Sequence, residues 1–404
     1  MGAFPREFVP LSAPAIQGRE WEYVKECLDT AWVSSAGQFV ERFERMVSAC
    51  TGARYAVATV NGTAALHVAL LIAGVQPDDE VLVSTLSFIA PANAIRYVRA
   101  WPVFVDAEPV HWQMDPEKVV GFLETACEWR QGALFNKQSG RHVSAIVPVH
   151  ILGHPVDMQP ILEVARKYDL RVIEDATESL GAAYRGTPVG ILGDVGCLSF
   201  NGNKTITTGG GGMIVTNNGS WAERAKYLTT QAKDDSIEYI HGEIGYNYRL
   251  TNLQAALGCA QLDKLDEYVR VKRRLAETYA RALSPVRGVV GPREAPWAFC
   301  TFWLYTVLVQ ENQYGMDSRA LLRKLREANI EARPLWQPLH LSPAHAGVHS
   351  RKCPVAERLN QQALSLPSSV GLTSDHQQRV LDILQGGPGP AYSDVVADRS
   401  SPTT

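Results

Sequence analysis

The sequence predicts an α/β protein, with a large domain on a mostly parallel sheet followed by a smaller C-terminal α/β domain. Three observations carry that reading. Short apolar runs at 55–60, 81–83, 103–105, 145–149 and 172–173 have the length of buried strands, and segments of helical periodicity lie between them. Such alternation requires crossover connections, which give a parallel sheet covered on both faces. Beyond Pro285, the punctuation of Gly288, Gly291, Pro292 and Pro296 sets a second group of elements apart from the first.

In chain order, residues 1–20 form an N-terminal arm broken by Pro5, Pro10, Pro14 and Gly18. A large domain is expected over 21–283. It begins with helices at 21–28 and 39–49, and its helix at 63–73 keeps one apolar face of Leu66, Ala69, Leu70 and Ala73. Strands at 197–200 and 213–215 flank a glycine-rich turn, and one long helix is expected over 251–283, starting on Leu253, Ala256, Leu257 and Ala260. The small domain, 284–385, should hold a strand at 302–309, a helix at 318–328, a proline-broken connection at 334–343 and a helix at 355–364. Residues 386–404, rich in Gly, Pro, Ser and Asp, read as a disordered tail.

Composition excludes several classes of function. A net charge of -3 without a basic stripe gives no general attraction for nucleic acid or an anionic membrane, so any phosphate has to be held by a local site. The seven cysteines are scattered and never spaced Cys-x-x-Cys, which argues for a reducing compartment and against a zinc site or disulfide framework. His340, His345 and His349 cluster among Pro338, Pro343 and Gly347 without a carboxylate or cysteine to complete a ligand set, so no metal is expected. No apolar run reaches membrane-spanning length and no signal peptide precedes the first polar residues; a cytoplasmic protein is expected.

Ligands of parallel sheets gather beyond the carboxyl ends of the strands, and four such places draw notice. Lys204 stands in a turn between two strands, ahead of Gly209-Gly210-Gly211-Gly212. A P-loop is ruled out, because the glycines it needs are replaced by Asn203 and Leu198. A lone lysine is usually a surface residue, so the other strand ends decide its meaning. Asn61-Gly62-Thr63 opens a helix, where free N–H groups and the Thr hydroxyl can hold an anion, although Asn61 alone is an ordinary cap. Phe88 follows another strand and can cover a planar ring or simply pack. Glu174 and Asp175 end a buried strand, where a carboxylate is costly unless it is paired. With Ser199, these supply a lysine for a Schiff base, an anchor for a phosphate, an aromatic cover and a buried acid. Those are the parts that pyridoxal phosphate requires.

The same residues carry a resemblance. Asn-Gly-Thr-Ala-Ala-Leu at 61–66, Glu-Asp-Ala-Thr-Glu-Ser-Leu-Gly-Ala at 174–182, Ser-Phe-Asn-Gly-Asn-Lys at 199–204 and Gly-Tyr-Asn-Tyr-Arg-Leu-Thr at 245–251 resemble the DegT/DnrJ-type nucleotide-sugar aminotransferases, over about residues 10–380. The resemblance implies the aspartate-aminotransferase-like fold type I of pyridoxal-phosphate enzymes and a homodimer with both active sites at the subunit interface. It makes Lys204 the Schiff-base lysine and Asp175 the partner of the pyridinium nitrogen. Gly62, Thr63 and Ser199 become phosphate ligands, Phe88 the stacking residue, and Asn247 a phosphate ligand from the other subunit. Glu178 stands where many relatives have Gln or His, near the ring oxygen, and Asn61 replaces a commoner Ser.

The implied reaction moves an amino group from L-glutamate, released as 2-oxoglutarate, to a nucleotide-linked keto sugar, with the Lys204 amine carrying the proton. The Glu-Ser-Leu-Gly and Asn-Gly-Asn-Lys wording is most similar to the branch acting at C4 of UDP-2-acetamido-2,6-dideoxy-hexos-4-ulose, for surface glycans of the bacillosamine or legionaminic type. Alternatives are a dTDP- or GDP-linked keto sugar aminated at C3 or C4, or a regulatory binding protein without turnover. A 3-dehydrase of this fold carries His in place of the lysine, and Lys204 argues against it. Arg249 and Arg333 are candidates for a substrate carboxylate, and His340 for a nucleotide diphosphate, against the commoner reading of each as a surface or structural residue.

Overall fold

The computed structural model describes residues 7–235, 237–348 and 352–387. Its largest sheet has seven strands: β1 (Tyr55–Thr59), β2 (Glu80–Ser84), β3 (Trp101–Val105), β4 (Val143–Val147), β5 (Arg171–Asp175), β6 (Val195–Ser199) and β7 (Gly212–Thr216). They lie in the spatial order β1-β7-β6-β5-β4-β2-β3. From β3 to β6 the pairing is parallel, and β7 runs antiparallel between β6 and β1. β2 and β7 are buried at every position, so their centres, residues 81–83 and 213–215, appear in the sequence as short apolar runs rather than as alternating ones.

Helices α1 (Glu20–Asp29) and α2 (Gln38–Thr51) precede the sheet, and α3 (Gly62–Ile72) follows β1. The Asn61 side chain caps α3 by accepting the Ala64 N–H, and the helix is buried almost all round against β6 and β7. The crossovers are α4 (Ala90–Tyr97), α5 (Pro116–Thr125) and α6 (Met158–Lys167); α7 (Gly219–Thr229) follows β7.

The single helix expected over 251–283 is in fact two, α8 (Asn252–Leu262) and α9 (Leu265–Leu283). Burial explains the break. α8 is enclosed on nearly every side, whereas α9 buries one stripe, and the turn at Asp263-Lys264 redirects the chain.

A second sheet contains β8 (Val289–Val290), β9 (Tyr305–Val309), β10 (Arg333–Pro334) and β11 (Ala363–Leu366), in the order β8-β9-β11-β10. β11 is a further correction, because the helix expected over 355–364 stops at Gln362 and the chain turns directly into this strand. Ala-Leu-Ser-Leu is buried throughout, and a short apolar run of that kind fits either state until its neighbours are known. Here β9 and β10 flank it.

The arm crosses from the second sheet to the first. Val9 bridges Ile330, Leu11 O accepts the Ser368 N–H, and Ser12 Oγ donates to Asn203 O. Of the expected tail, 388–404 lies outside the described residues; the helix Ser374–Gln385 runs up to it. Among the described residues, no helix is long and apolar enough to cross a membrane.

Candidate active site

Strand register sets the site. Thr59, Gly212 and Ser199 are aligned across β1, β7 and β6, and Cys197 pairs with Asp175 on β5. The ends of these strands, the start of α3 and the Lys204 turn therefore share one edge of the sheet. A Cβ on Gly62 would lie 3.0 Å from Ser199 Cβ and 3.1 Å from Thr177 Cγ2, and one on Gly212 would lie 2.5 Å from the Asn61 carbonyl carbon. Glycine at 62 and 212 is what lets the helix start approach Ser199. The amides of Gly62 and Thr63, in the first turn, have no acceptor within their own helix, and the helix dipole favours an anion there.

Glu174 and Asp175 point to opposite faces, as neighbours in a strand do. Glu174 accepts the N–H groups of Gly190, Leu192 and Gly193 at 2.8, 2.6 and 2.7 Å, and lies 3.0 Å from His150 Nε2. Val156 N–H donates to His150 Nδ1, which leaves Nε2 to donate to Glu174. Asp175, 2% exposed, accepts the Thr177 N–H at 3.1 Å. Burial raises its pKa, with the hydrogen bonds of Thr177 and then the charge of Lys204 opposing. A buried carboxyl with so few donors fits a group that brings its own N–H to it.

Lys204 points inward. Its side chain is 14% exposed, with Nζ 3.4 Å from Glu178 Oε1 and 4.1 Å from the centroid of the Trp303 ring. Burial raises the Glu178 pKa and Lys204 counters it; the second oxygen accepts the Leu152 N–H at 2.9 Å. Leu152 reaches that position with φ of 61°, in the left-handed region, and Gly153 follows at 87°. Gln113 holds this loop by accepting from Ile151 N–H and donating to Ile151 O.

The single chain thus brings together Lys204, Asp175, Glu178, Ser199, Gly62 and Thr63. The other candidates have different surroundings. Phe88 is 57% exposed, and Asn247, bridged to Thr230 by backbone, is also exposed. Arg249 lines a cavity beside Glu44 and Lys226. Arg333 pairs with Glu331 at 2.9 Å. His340 is fixed between Thr85 Oγ1 at 2.8 Å and Glu357 at 3.1 Å, His345 packs on Phe104, and His349 lies outside the described residues.

Sequence reasoning missed Trp303 and Leu152. Trp303 lay inside the strand expected over 302–309 and was not singled out; Leu152 acts through its backbone, which leaves no side-chain signal.

A chemically coherent pocket results: an inward amine, a buried acid within its electrostatic reach, and an anion cradle of first-turn amides beside a hydroxyl. These residues fit pyridoxal phosphate. Comparison with known proteins agrees. The model of the DegT/DnrJ/EryC1/StrS aminotransferase family matches residues 14–385. A GDP-perosamine synthase of Caulobacter vibrioides is 39% identical, covering 95% of this chain and 99% of the relative. One from Escherichia coli O157:H7 is 38% identical over 91% and 95%. The crystal structure of DesI in the presence of its TDP-sugar product superposes with a TM-score of 0.84 at 28% identity, covering 95% of this chain and 93% of that one. The chain belongs to the DegT/DnrJ/EryC1/StrS aminotransferase family and is a pyridoxal-phosphate-dependent sugar aminotransferase of fold type I.

Proposed function

We propose that the chain transfers an amino group from L-glutamate to C4 of a GDP-linked 4-keto-6-deoxyhexose, as a homodimer with shared active sites. The single observation that carries the choice of sugar is the near full-length similarity to GDP-perosamine synthases from two organisms. It favours the GDP-linked alternative over the UDP-linked N-acetyl sugar suggested by the motif wording.

Bound pyridoxal phosphate supplies a carbonyl that links to amines and a ring that takes up the electrons left when a Cα proton departs. Lys204 Nζ would hold the cofactor through its carbonyl and, when free, would act as the base that moves the Cα proton. Asp175 keeps the ring nitrogen protonated, a task suited to an acid buried next to few other donors. The amides of Gly62 and Thr63 and the Ser199 hydroxyl anchor the phosphate. Glu178 orients the Lys204 amine from one side while Trp303 bounds it on another.

Asn247 needs a partner subunit to complete its role. The segment leading to Asn247 exposes Ile237, Tyr239, Ile240 and Ile244, the last at 84%, an apolar set that a second copy would cover. In this reading Phe88 stacks on the ring and Asn247 reaches the phosphate of the other subunit. Arg333, His340 and Arg249 are candidates for substrate anions; the first two would have to exchange their present partners for substrate.

Mass spectrometry of the purified protein with glutamate and a panel of keto-sugar nucleotides tests the proposal. Conversion of the GDP-linked 4-keto sugar to its amine is expected; conversion of UDP-linked N-acetyl sugars alone would overturn the choice. Lys204→Ala should lose both turnover and the visible absorbance of lysine-bound cofactor, and a fully active variant would refute the assignment of Lys204.

A further inference from the structure

α9 carries an apolar stripe of Leu265, Tyr268, Val269, Ala276, Tyr279 and Leu283, interrupted in its middle by Lys272. Lys272 is 3% exposed. A leucine or methionine would fill that position at lower cost, because a buried ammonium is expensive unless its hydrogen-bond capacity is used. Its contacts show how it is used. Nζ donates to Trp303 O at 3.0 Å and to Ser368 O at 2.7 Å. Burial lowers its pKa to about 7, and even the neutral amine keeps two N–H donors for the two carbonyls.

Both carbonyls belong to segments that close on the Lys204 turn. Trp303 precedes β9 and Ser368 follows β11, and these strands are paired at Tyr305 and Leu366. Trp303 Nε1 donates to Asn203 O at 2.7 Å while its ring faces Lys204 Nζ. Ser368 N–H holds Leu11 O, Ser369 Oγ accepts the Ala13 N–H, and Ser12 between them donates to the same Asn203 O at 2.9 Å. One amine on α9 therefore tethers both groups that grip the carbonyl immediately before the reactive lysine.

We propose that Lys272 is a positioning residue for the amination reaction: by holding Trp303 and the Leu11–Ala13 arm against Asn203, it sets where the Lys204 amine lies. The proposal rests on the assignment of Lys204 as the cofactor-bearing residue. A displacement of about 1 Å at a reacting amine is enough to lower turnover by on the order of 10²-fold.

The test is Lys272→Met, Trp303→Phe and the double variant in the full-length holoenzyme, read by kcat, KM for the sugar nucleotide and the pH midpoint of the bound cofactor's visible absorbance. Cofactor-free protein adds a fourth readout, the rate at which an amine reagent modifies Lys204, followed by mass spectrometry. Lys272→Met should lower kcat about tenfold or more, leave KM within about twofold, move the midpoint and change the modification rate. The double variant should be no worse than its more impaired parent, because the Trp303–Asn203 contact removed in Trp303→Phe is one of the two that Lys272→Met loosens. Wild-type kcat and midpoint in folded Lys272→Met, or fully additive effects in the double variant, would overturn the proposal. Should Lys272→Met not fold, Trp303→Phe combined with Ser12→Ala decides, and an unmoved midpoint there refutes the relay. Cofactor absorbance that persists in Lys204→Ala would instead refute the assignment on which the proposal depends.

Discussion

Glu174 and Asp175 are adjacent in the chain, both buried at the end of β5, and face opposite sides of the sheet. On one side Glu174 is surrounded by three backbone N–H groups and His150, which fixes the 190–193 loop beneath the sheet. On the other, Asp175 has Thr177 for hydrogen bonding and its pKa is raised by burial. The difference separates structure from function by donor count. A buried acid that its own fold satisfies holds the fold together, and one left under-satisfied is kept for a ligand.

The largest expected effect lies on the functional side. Asp175→Asn keeps the shape and can still accept from Thr177, so the cofactor should bind through its phosphate while turnover falls by about 10²–10³-fold, the usual loss when one preorganised electrostatic contact is removed. Single-turnover kinetics with glutamate would measure it. A variant within twofold of wild type would erase the distinction between the two acids.

Next in size is the structural side. Glu174→Ala strands three N–H groups and His150 in the interior, and should cost about 3–5 kcal/mol of stability in urea unfolding of the cofactor-free protein. If this variant kept its stability and lost only turnover, the assignment of roles would be reversed.

The same contrast marks what was legible in the sequence. Lys204, Asp175, Ser199 and the Gly62-Thr63 helix start could be found because each stands at a fixed offset from a buried strand, and strand ends are where such sheets bind ligands. Which of the two adjacent acids faced the site came from the family resemblance rather than from the strand pattern, since that depends on which face the β5 pleat turns toward α3. Trp303 is distant in sequence and meets Lys204 only once β9 docks. The break at Asp263 and the strand Ala363–Leu366 escaped because local periodicity does not record a change of neighbours. Arg333 and His340, singled out by residue type, turned out to be paired with Glu331 and Glu357.

The smallest effect is also the one that best separates the two acids, because it has a sign. The folded-state pKa of Asp175 is raised above its ordinary value of 3.8 by burial, so the native protein holds that proton to a higher pH than the unfolded chain does. Below about 3.8 both states are protonated and the residue contributes no penalty. As pH rises through the native pKa the carboxyl is ionised in the interior, and cofactor-free wild type loses stability that Asp175→Asn does not lose. The melting-temperature difference, variant minus wild type, should therefore be near zero in acid and positive at neutral pH in cofactor-free protein. Adding pyridoxal phosphate at neutral pH should reverse its sign, because the protonated ring nitrogen then pairs with the wild-type carboxylate and not with the amide. A difference that stays positive with cofactor bound would mean that the Asp175 carboxylate does not meet the ring.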